Sequence, residues 1–458
     1  MKNFFRFEEL GTSYKTETLA GVTTFMTMAY IIVVNPAILS HAFGAKMSFE
    51  AVMAATCIAS AVATVVMALW AKYPIALAPG MGLNAFFSFE ICNMIAALQA
   101  QHQVAEGVEP WKIALGMVFM SGCLFLLLTF LKVREMIVNS VPNALKHGIA
   151  CGIGLFIAFI GLEEAGIITS HPVTFVQLGK LAEPATILAI IGLAITLGLM
   201  AMRVRGSILI GLVATGLLGI PFGIVHFEGV ISAPPQPTAF FQMDLGHAFS
   251  FYFITPILML LFFDMFDTIG TLIGVGQKGG MLVDGKLPRA TQALAADAIG
   301  TIVGATTGTS TVTSYIESAA GVAEGGRTGF ASLVTAALFL VAMFFTPLVK
   351  MFGASVPSSL NPEIFLRPVT APALITVGFL MMSSIRHIDW NDITEGGPAF
   401  LTVLTMPLTF SISHGFAIGF ISYPLLKAAA GKAKEVPGLV WGLMAIFLAR
   451  YVFLPIHL

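Results

Sequence analysis

Long apolar stretches recur along the whole chain and are separated by short polar connections. A helix that spans the hydrocarbon core of a bilayer needs roughly 20 mostly apolar residues. In the first half we predict spans over residues 20–41, 50–71, 80–98, 112–131, 141–163, 184–202 and 206–226. In the second half we predict spans over 249–275, 290–307, 313–325, 328–350, 369–387, 395–411 and 413–430. The pattern therefore predicts an all-α polytopic membrane protein with fourteen transmembrane spans.

These spans divide the chain into five parts. We predict a cytoplasmic N-terminal segment over 1–19, a first seven-span repeat over 20–226, an extracytoplasmic connection over 227–248, a second seven-span repeat over 249–430 and a C-terminal part over 431–458. The last part joins a basic stretch to an apolar tail, "VPGLVWGLMAIFLARYVFLP". This tail suits either an extra tilted span or a helix lying in the membrane interface.

The composition indicates the same class of protein. Hydrophobic residues make up 57% of the chain and charged residues 10%, whereas soluble domains carry about 25% charged residues. The net charge of −1 gives no sign of nucleic-acid binding. The four cysteines stand singly in apolar segments, without a C-x-x-C pair, so neither a disulfide nor a metal site is predicted.

Lysine and arginine are distributed unevenly between the two sides of this topology. Counted from a cytoplasmic N-terminus, about sixteen of them fall on the cytoplasmic side, as the positive-inside rule requires. The opposite side receives Lys46, Lys112, Lys180, Lys350 and Arg367. An error of one span would scramble this bias, so we expect both termini in the cytoplasm.

Two segments at corresponding places in the two halves are too short or too irregular for ordinary membrane helices. "YPIALAPGMGLNAFFSFE" (73–90) carries closely spaced Pro and Gly residues, and "GATTGTSTVTSYIESAAGVAEGG" (304–326) begins with β-branched and hydroxyl residues. Each is the third span of a seven-span half, and because seven is odd the halves would enter the membrane with opposite orientation. Non-helical backbone at membrane depth is tolerated only beside protein or a water-filled cavity. The pair therefore predicts a binding site in an inverted-repeat transporter.

Acidic residues inside the predicted spans are few: Asp264, Asp267, Asp297 and Glu317, with Glu90 and Glu163–Glu164 near span ends. In "LLFFDMFDTIGTL" (260–272), Asp264 and Asp267 are three residues apart, which places them near one face of a helix. Asp297 follows in "ALAADAIG", and Glu317 lies in the second broken segment. An ionisable group inside the membrane is costly and marks a functional site by default. Asp297 fits a polar contact between helices equally well, so for it both interpretations stay open.

Four stretches of the chain resemble one known family. They are "FEELGTSYKTETLAGVTTFMTMAYIIVVNP" (7–36), "APGMGLNAFF" (78–87), "FFDMFDTIGTLIGV" (262–275) and "GTSTVTSYIESAAGVAEGGRTG" (308–329). Together they resemble the AzgA-like purine permeases of the nucleobase–ascorbate transporter (xanthine–uracil permease) superfamily, over about residues 7–430. The resemblance implies two inverted seven-span repeats arranged as a core domain and a gate domain. It also implies that spans 3 and 10 are part strand and part half-helix, with the substrate between them.

The same resemblance implies roles for individual residues. By motif, Asn84, Asp264 and Glu317 match the family's substrate-contacting positions, and Asp267 matches an acid that acts in transport and proton coupling. The implied activity is import of adenine, guanine or hypoxanthine together with a proton, so H+ is the coupling ion and no other cofactor is expected. Either aspartate of the Asp264/Asp267 pair can carry the proton, because coupled carboxylates titrate as a pair.

The chemistry of a purine fits these residues on its own terms. A purine has flat apolar faces and an edge of N–H donors and nitrogen or carbonyl acceptors, which carboxylates and the Asn84 carboxamide can match. Phe86, just past Asn84, is a candidate for stacking on the ring. The chain has 38 phenylalanines, so ordinary packing explains Phe86 as well.

Two other functional classes compete with a purine importer. An anion transporter or channel of the sulfate or bicarbonate type on the same fold is the main alternative, although acidic residues in the site would repel an anion. A membrane enzyme would need a nucleophile–base pair or a metal-ligand cluster. No spacing of His, Cys and Glu in the chain supplies one, so no catalytic residue is predicted.

The chain lacks eukaryotic-type extensions, so we expect it in the bilayer of a bacterial inner membrane. Carriers of this fold are often homodimers that meet through their gate domains, and for this chain both a monomer and a homodimer stay open.

Overall fold

A computed structural model describes residues 2–41, 43–104, 107–131, 140–283, 287–361 and 364–453. Within these residues, eight helices are long and apolar enough to cross a membrane, judged by length and composition. This agrees with the expected class of polytopic membrane protein. Residues 454–458 of the predicted tail lie outside the described residues.

Helices dominate the described residues of both halves. In the first half they are α1 Tyr14–Met28, α2 Ile31–Leu39, α3 Phe49–Val66, α4 Met81–Ala85, α5 Cys92–Ala100, α6 Pro110–Phe130, α7 Asn143–Glu164, α8 Pro184–Ala201 and α9 Ser207–Gly219. In the second half they are α10 Leu245–Ala248, α11 Ile254–Lys278, α12 Ala290–Thr307, α13 Ser318–Ala323, α14 Gly329–Ala342, α15 Thr346–Phe352, α16 Ala371–Met382, α17 Ile393–Leu408, α18 Ile412–Ala429 and α19 Gly438–Phe453. Two π-helical turns extend this list, at Met67–Ala71 after α3 and at Phe86–Ile91 between α4 and α5.

Short strands form antiparallel pairs between these helices. The pairs are β1 Leu77–Pro79 with β4 Val312–Ser314, β2 Ile168–His171 with β3 Phe175–Leu178, and β5 Val356–Pro357 with β6 Phe365–Leu366. The β1–β4 pair joins the two broken segments that the sequence singled out. Each of these segments continues from its strand into a short helix, α4 or α13, as expected.

The helices pack in two groups. One contains α1, α3, α6, α12 and α14, and the other contains α7, α16, α17 and α18. The short helix α4 contacts α11 on one side and α7 on the other. The first broken segment therefore lies where the two groups meet.

Several predicted spans differ from the helices that form, among them 20–41 and 206–226. Span 20–41 is divided into α1 and α2, because the N–H groups of Ile32 and Val33 bond to the carbonyls three residues earlier and tighten the turn between the helices. Span 206–226 ends early at Gly219. Pro221 follows two residues later and has no backbone N–H to continue the helix.

Glycine allows α7 and α16 to cross at close range. A Cβ atom on Gly378 of α16 would lie 2.4 Å from the carbonyl oxygen of Gly154 in α7. A Cβ atom on Gly161 would lie 3.0 Å from the carbonyl oxygen of Ala371. Small residues at membrane helix crossings let the backbones approach closely, so this contact cannot admit a side chain without movement.

We expect Gly378→Ala to lower the thermal stability of the detergent-purified protein. Overpacking a tight contact costs about 1–3 kcal/mol, because one of the two backbones must move. The matched control is Gly198→Ala on α8, where an added Cβ has no neighbour within 4 Å and the better helix propensity of alanine favours the folded state. Equal melting temperatures for the two variants would contradict the close crossing.

Candidate functional site

The candidate site is built around the strand pair β1–β4. Leu77 lies opposite Ser314 in the antiparallel register, and the N–H of Gly80 extends the ladder by donating to the carbonyl of Thr311 at 3.0 Å. Each strand thereby satisfies backbone groups of the other where neither is helical. This is the condition under which extended backbone is tolerated at membrane depth.

Specific residues set the spacing at the ends of the strands. A Cβ atom on Gly80 would lie 2.7 Å from Cγ2 of Thr313, so glycine allows the first strand to approach the second. The hydroxyl of Tyr315 donates to the carbonyl of Pro79 at 2.5 Å. These contacts fix the positions at which α4 and α13 begin.

Asp264 of α11 is 1% exposed and is held by a hydroxyl. The Thr301 hydroxyl of α12 lies 3.0 Å from Oδ2 of Asp264 and 3.0 Å from the carbonyl oxygen of Val312 in β4. Among the described residues, Oδ1 of Asp264 accepts no hydrogen bond from another group. A buried acceptor without a donor is costly, so this oxygen is available to a donor that enters the site.

Asp297 of α12 is fully buried beside Asp264. Its Oδ1 accepts a hydrogen bond from the hydroxyl of Ser314 at 2.9 Å, and within the described residues its Oδ2 has no donor. The carboxyl groups of Asp264 and Asp297 lie within hydrogen-bonding reach of each other. Two carboxylates at this separation repel each other when both are ionised, and a single shared proton would remove that repulsion.

Glu317 and Asp267 lie on the more open side of the same strand pair. The hydroxyl of Tyr30 donates to Oε1 of Glu317 at 2.7 Å. Asp267, one turn beyond Asp264, is exposed and close enough to Glu317 for the two carboxyl groups to interact electrostatically. The predicted pair on α11 is therefore divided between a buried acid and an accessible one.

Asn84 is fully buried on α4, with its Oδ1 accepting from the hydroxyl of Ser310. Its Nδ2 has no acceptor among the described residues, so a donor remains for a ligand. Phe86 is 1% exposed and packs edge to face against Phe263, with ring centroids 5.2 Å apart. Its proposed stacking on a purine stays a prediction.

The acid cluster consists of Asp264, Asp267, Asp297 and Glu317, and it has no basic partner in the described part of the chain. No Lys, Arg or His nitrogen there lies within 4.0 Å of its carboxylate oxygens. Hydroxyl groups satisfy the cluster instead. Such a cluster can accept hydrogen bonds from a neutral solute and can bind protons, and it disfavours an anion.

Several residues that shape this site carried no individual prediction. They are Tyr30, Thr301, Ser310 and Ser314, and also Asn35, whose Nδ2 donates to the hydroxyls of Thr56 and Thr309 at 2.7 and 2.8 Å. The run of hydroxyl residues from 306 to 314 was the available signal for the serines and threonines. Tyr30 and Asn35 lie in the first family-like stretch, where nothing in the local pattern distinguishes them from packing residues.

A cavity of about 280 Å³ lies away from the acid cluster, at the carboxyl ends of α2 and α7. The β2–β3 hairpin and the segment before α16 complete its wall. None of the predicted site residues lines it. His41, Phe89 and Glu164 are among the residues that do.

The sequence pattern of the permease family matches residues 15–418 of the chain. The chain belongs to this family. Membership confirms that the protein is a transporter and not an enzyme, and it agrees with a multi-pass membrane protein.

Relatives match over nearly the whole length of the chain. A Methanocaldococcus jannaschii protein is 53% identical over 99% of this chain and 98% of its own length. The guanine/hypoxanthine permease PbuG of Bacillus subtilis is 43% identical over 99% of this chain and 100% of its own. The adenine permease AdeP of Escherichia coli is 40% identical over 100% of this chain and 97% of its own. The resemblance to purine permeases drawn from the motifs is thereby confirmed.

Solved structures with a similar fold include a bicarbonate transporter and an anion transporter. The transmembrane domain of the cyanobacterium bicarbonate transporter BicA aligns with a TM-score of 0.62 over 88% of this chain and 97% of that chain, at 15% identity. The murine Slc26a9 anion transporter in its inward-facing state aligns with a TM-score of 0.59 over 92% of this chain and 69% of that chain, at 12% identity. At such identities the likeness shows the fold alone.

The cavity residue His41 should make stability depend on pH. Burial, and after it the charge of Arg367, lowers the pKa of His41 to about 4, whereas an unfolded histidine titrates near 6.5. The unfolded chain therefore binds the extra proton as the pH falls from about 6.5 toward 4, and stability falls with it by up to about 3 kcal/mol. Above pH 6.5 this contribution does not change.

We expect His41→Gln to lose less stability than the wild type when the pH is lowered from 6.5 to 4. The melting temperature of the purified protein across this range measures the effect. His226→Gln, which replaces an exposed histidine, should follow the wild-type curve. A His41→Gln curve that parallels the wild type would show that His41 is not held neutral by the fold.

Proposed function

We propose that this protein is a proton-coupled secondary transporter that imports purine nucleobases across the cytoplasmic membrane. The observation that carries the proposal is the acid cluster beside the β1–β4 pair together with Asn84. Among the described residues, Oδ1 of Asp264 and Nδ2 of Asn84 are buried without a hydrogen-bond partner. Free hydrogen-bonding groups on Asn84 and Asp264 suit a neutral solute with both donors and acceptors on its edge. Membership of the permease family supports the same class of function.

The names of the relatives support purines as the substrate class. PbuG is named for guanine and hypoxanthine and AdeP for adenine. A carboxylate accepts two neighbouring N–H groups of such a base, and each hydrogen bond to a charged group contributes roughly 1.5–3 kcal/mol. In our proposal Glu317 and Asp264 accept from the base, and Asn84 contacts its edge. Phe86 holds the wall of the site through Phe263 and stacks on the base if α4 shifts.

Fourteen spans in two inverted seven-span repeats are our proposal for the architecture. Antiparallel pairing of the two broken segments is what supports it, because each is the third span of its half. In this topology both termini are cytoplasmic. The helix group around α3 and α12 is the core domain, and the group around α7 and α16 is the gate domain.

In our proposal, proton coupling follows from the free-energy cost of ionising all the carboxyl groups of the acid cluster. Four neighbouring carboxyl groups with no basic partner cannot all be ionised cheaply. A proton shared between Asp264 and Asp297 would lower that cost, so Asp297 is an accessory of the site. Asp267 is accessible and adjacent to Glu317, and it is the group that we propose exchanges the transported proton with water.

The transport cycle then begins outside the cell. A proton binds at Asp267, and the base docks between α4 and α13. The Glu317 carboxylate loses the hydrogen bond from the Tyr30 hydroxyl and accepts hydrogen bonds from N–H groups of the base. The core domain moves against the gate domain, the base and proton leave inside, and the empty carrier returns.

An anion carrier is the alternative that the structural neighbours raise. The likeness to BicA and Slc26a9 supports a shared fold, and a fold does not determine the substrate. An anion would meet Asp264, Asp267 and Glu317, and no cation among the described residues would compensate their charge. Bringing like charges together at a binding interface costs several kcal/mol of binding free energy. We therefore favour a purine over an anion.

We expect cells lacking their own purine carriers to take up radiolabelled adenine, guanine or hypoxanthine when they express this protein. Glu317→Gln should raise KM by about 10- to 100-fold, because an amide loses the charge that strengthens the bonds to the base. Initial rates over a range of base concentrations give KM and Vmax. The control is Glu109→Gln, which alters an acid that is paired with Lys112 at the surface. Uptake of sulfate or bicarbonate without any purine would refute the substrate class.

Asp267→Asn should separate transport of the base from transport of the proton. In proteoliposomes with an imposed pH gradient, the wild type should concentrate the base and lose this ability with a protonophore. The variant should still exchange labelled for unlabelled base across the membrane, because the substrate-binding groups remain. Concentrative uptake by Asp267→Asn at the wild-type level would exclude Asp267 as the proton carrier.

A further inference from the structure

The cavity at the carboxyl ends of α2 and α7 contains a buried acid that the transport cycle leaves unexplained. Glu164 is 4% exposed and lines the cavity. Neither of its carboxylate oxygens accepts a hydrogen bond from the described residues. The nearest basic groups are His41, whose Nε2 lies 3.9 Å from Oε1, and Arg367, which interacts with Glu164 through its charge.

A donor faces the same cavity beside this acceptor. The N–H of Phe43 donates to Nδ1 of His41 at 3.2 Å. Because this ring is neutral at pH 7, its own proton is on Nε2, the nitrogen that faces Glu164. A separation of 3.9 Å is too long for a hydrogen bond. Nε2 of His41 can therefore donate to a ligand in the cavity, and the Glu164 carboxylate can accept from the same ligand.

Six phenylalanines line the rest of the cavity, together with aliphatic residues, Glu163, Thr169 and Ser170. Phe89, Phe159 and Phe410 are three of these phenylalanines, and Phe410 contacts both others with ring centroids 5.9 and 6.3 Å away. Phe175 lines the rim from the β2–β3 hairpin with a positive φ of 65°, a strained conformation for a bulky residue. The wall therefore places aromatic rings in the same cavity as the Glu164–His41 pair.

The size of the cavity selects a small ligand. Pockets for drug-sized molecules have volumes of roughly 300–1,000 Å³, and this one is about 280 Å³. A flat bicyclic heterocycle with an N–H donor beside a ring-nitrogen or carbonyl acceptor matches the volume, the aromatic wall and the Glu164–His41 pair together. A purine nucleobase is a molecule of this class.

We propose that this cavity is a second binding site for the purine, separate from the acid cluster, in which Glu164 accepts from the base and His41 donates to it. The inference rests on the proposed function for the identity of the ligand. In the proposed topology the cavity opens to the extracytoplasmic side. Phe89 connects it to the central site, because it belongs to the π-helical turn that directly follows α4. The base binds here first and then passes to Asn84 and Glu317.

Equilibrium binding to the full-length protein in nanodiscs tests the second site. Tritiated adenine, guanine and hypoxanthine are each titrated against wild type, Glu317→Gln and Glu164→Gln. We expect two equivalents of base on the wild type and one on Glu317→Gln. Glu164→Gln should lose the outer equivalent, with binding there at least tenfold weaker. Glu183→Gln changes another buried acid, which accepts from the N–H of Ser359 outside this cavity, and should bind as the wild type does.

Protection of an introduced cysteine locates the bound base independently of stoichiometry. Ser170→Cys places a thiol on the cavity wall, and Val173→Cys places one on the exposed hairpin turn outside it. Mass spectrometry of the peptide that carries residue 170 or 173 reports maleimide labelling. In the Glu317→Gln background, the base should slow labelling at 170 at least fivefold and leave labelling at 173 unchanged.

The outcomes separate this inference from the proposed function. One set of results would refute the second site alone. In it, the wild type imports purine and binds one equivalent of base, monodisperse Glu317→Gln binds no base, and the base does not protect the cysteine at position 170 from labelling. A wild type that neither imports nor binds any of the three bases would refute the proposed function and the second site together. Binding retained by Glu164→Gln at full stoichiometry would exclude Glu164 as the group that holds the base.

Discussion

The rest of the site depends on one constraint, which is that extended backbone inside a membrane must find its hydrogen bonds within the protein. The β1–β4 pair meets this constraint by bringing together segments from the two halves of the chain. Once paired, the strands fix where α4 and α13 begin, and they present the Ser314 hydroxyl and the Val312 carbonyl to the acids of α11 and α12. Loss of the pairing would leave both the backbone and the carboxylates without partners, so fold and site are stabilised by the same contact.

The second feature is a cluster of acids that accept hydrogen bonds from hydroxyl groups. In soluble cores a buried carboxylate is commonly paired with a cation, and such pairing would fix its charge. Here Thr301, Ser314 and Tyr30 supply neutral donors, which hold the carboxyl groups in place in either protonation state. Neutral partners do not fix the charge of these carboxyl groups, so the groups can gain and lose protons.

Much of this arrangement could be predicted from the sequence. Pro79, Gly80 and the run of hydroxyl residues near Thr311 indicate the broken segments, and acids inside membrane spans are rare enough to indicate a functional site. The distance between Asp264 and Asp297 could not, because it depends on how α11 packs against α12 and the strand. The rotation of each helix about its own axis could not be predicted either, because the local sequence pattern does not determine it. This rotation turns Phe86 toward Phe263 and Asp267 toward an opening. The cavity at Glu164 escaped prediction because His41 and Phe410 come from distant parts of the chain and each resembles an ordinary packing residue.

We propose that the paired strands and the acids beside them bind the base. A cryo-electron microscopy structure of the full-length protein in nanodiscs with saturating guanine tests it most directly. We expect density for the base between α4 and α13, with its N–H groups about 3 Å from the Glu317 carboxylate and the Tyr30 hydroxyl displaced from that carboxylate. Guanine resolved only away from the strand pair, with the Tyr30–Glu317 hydrogen bond intact, would contradict it.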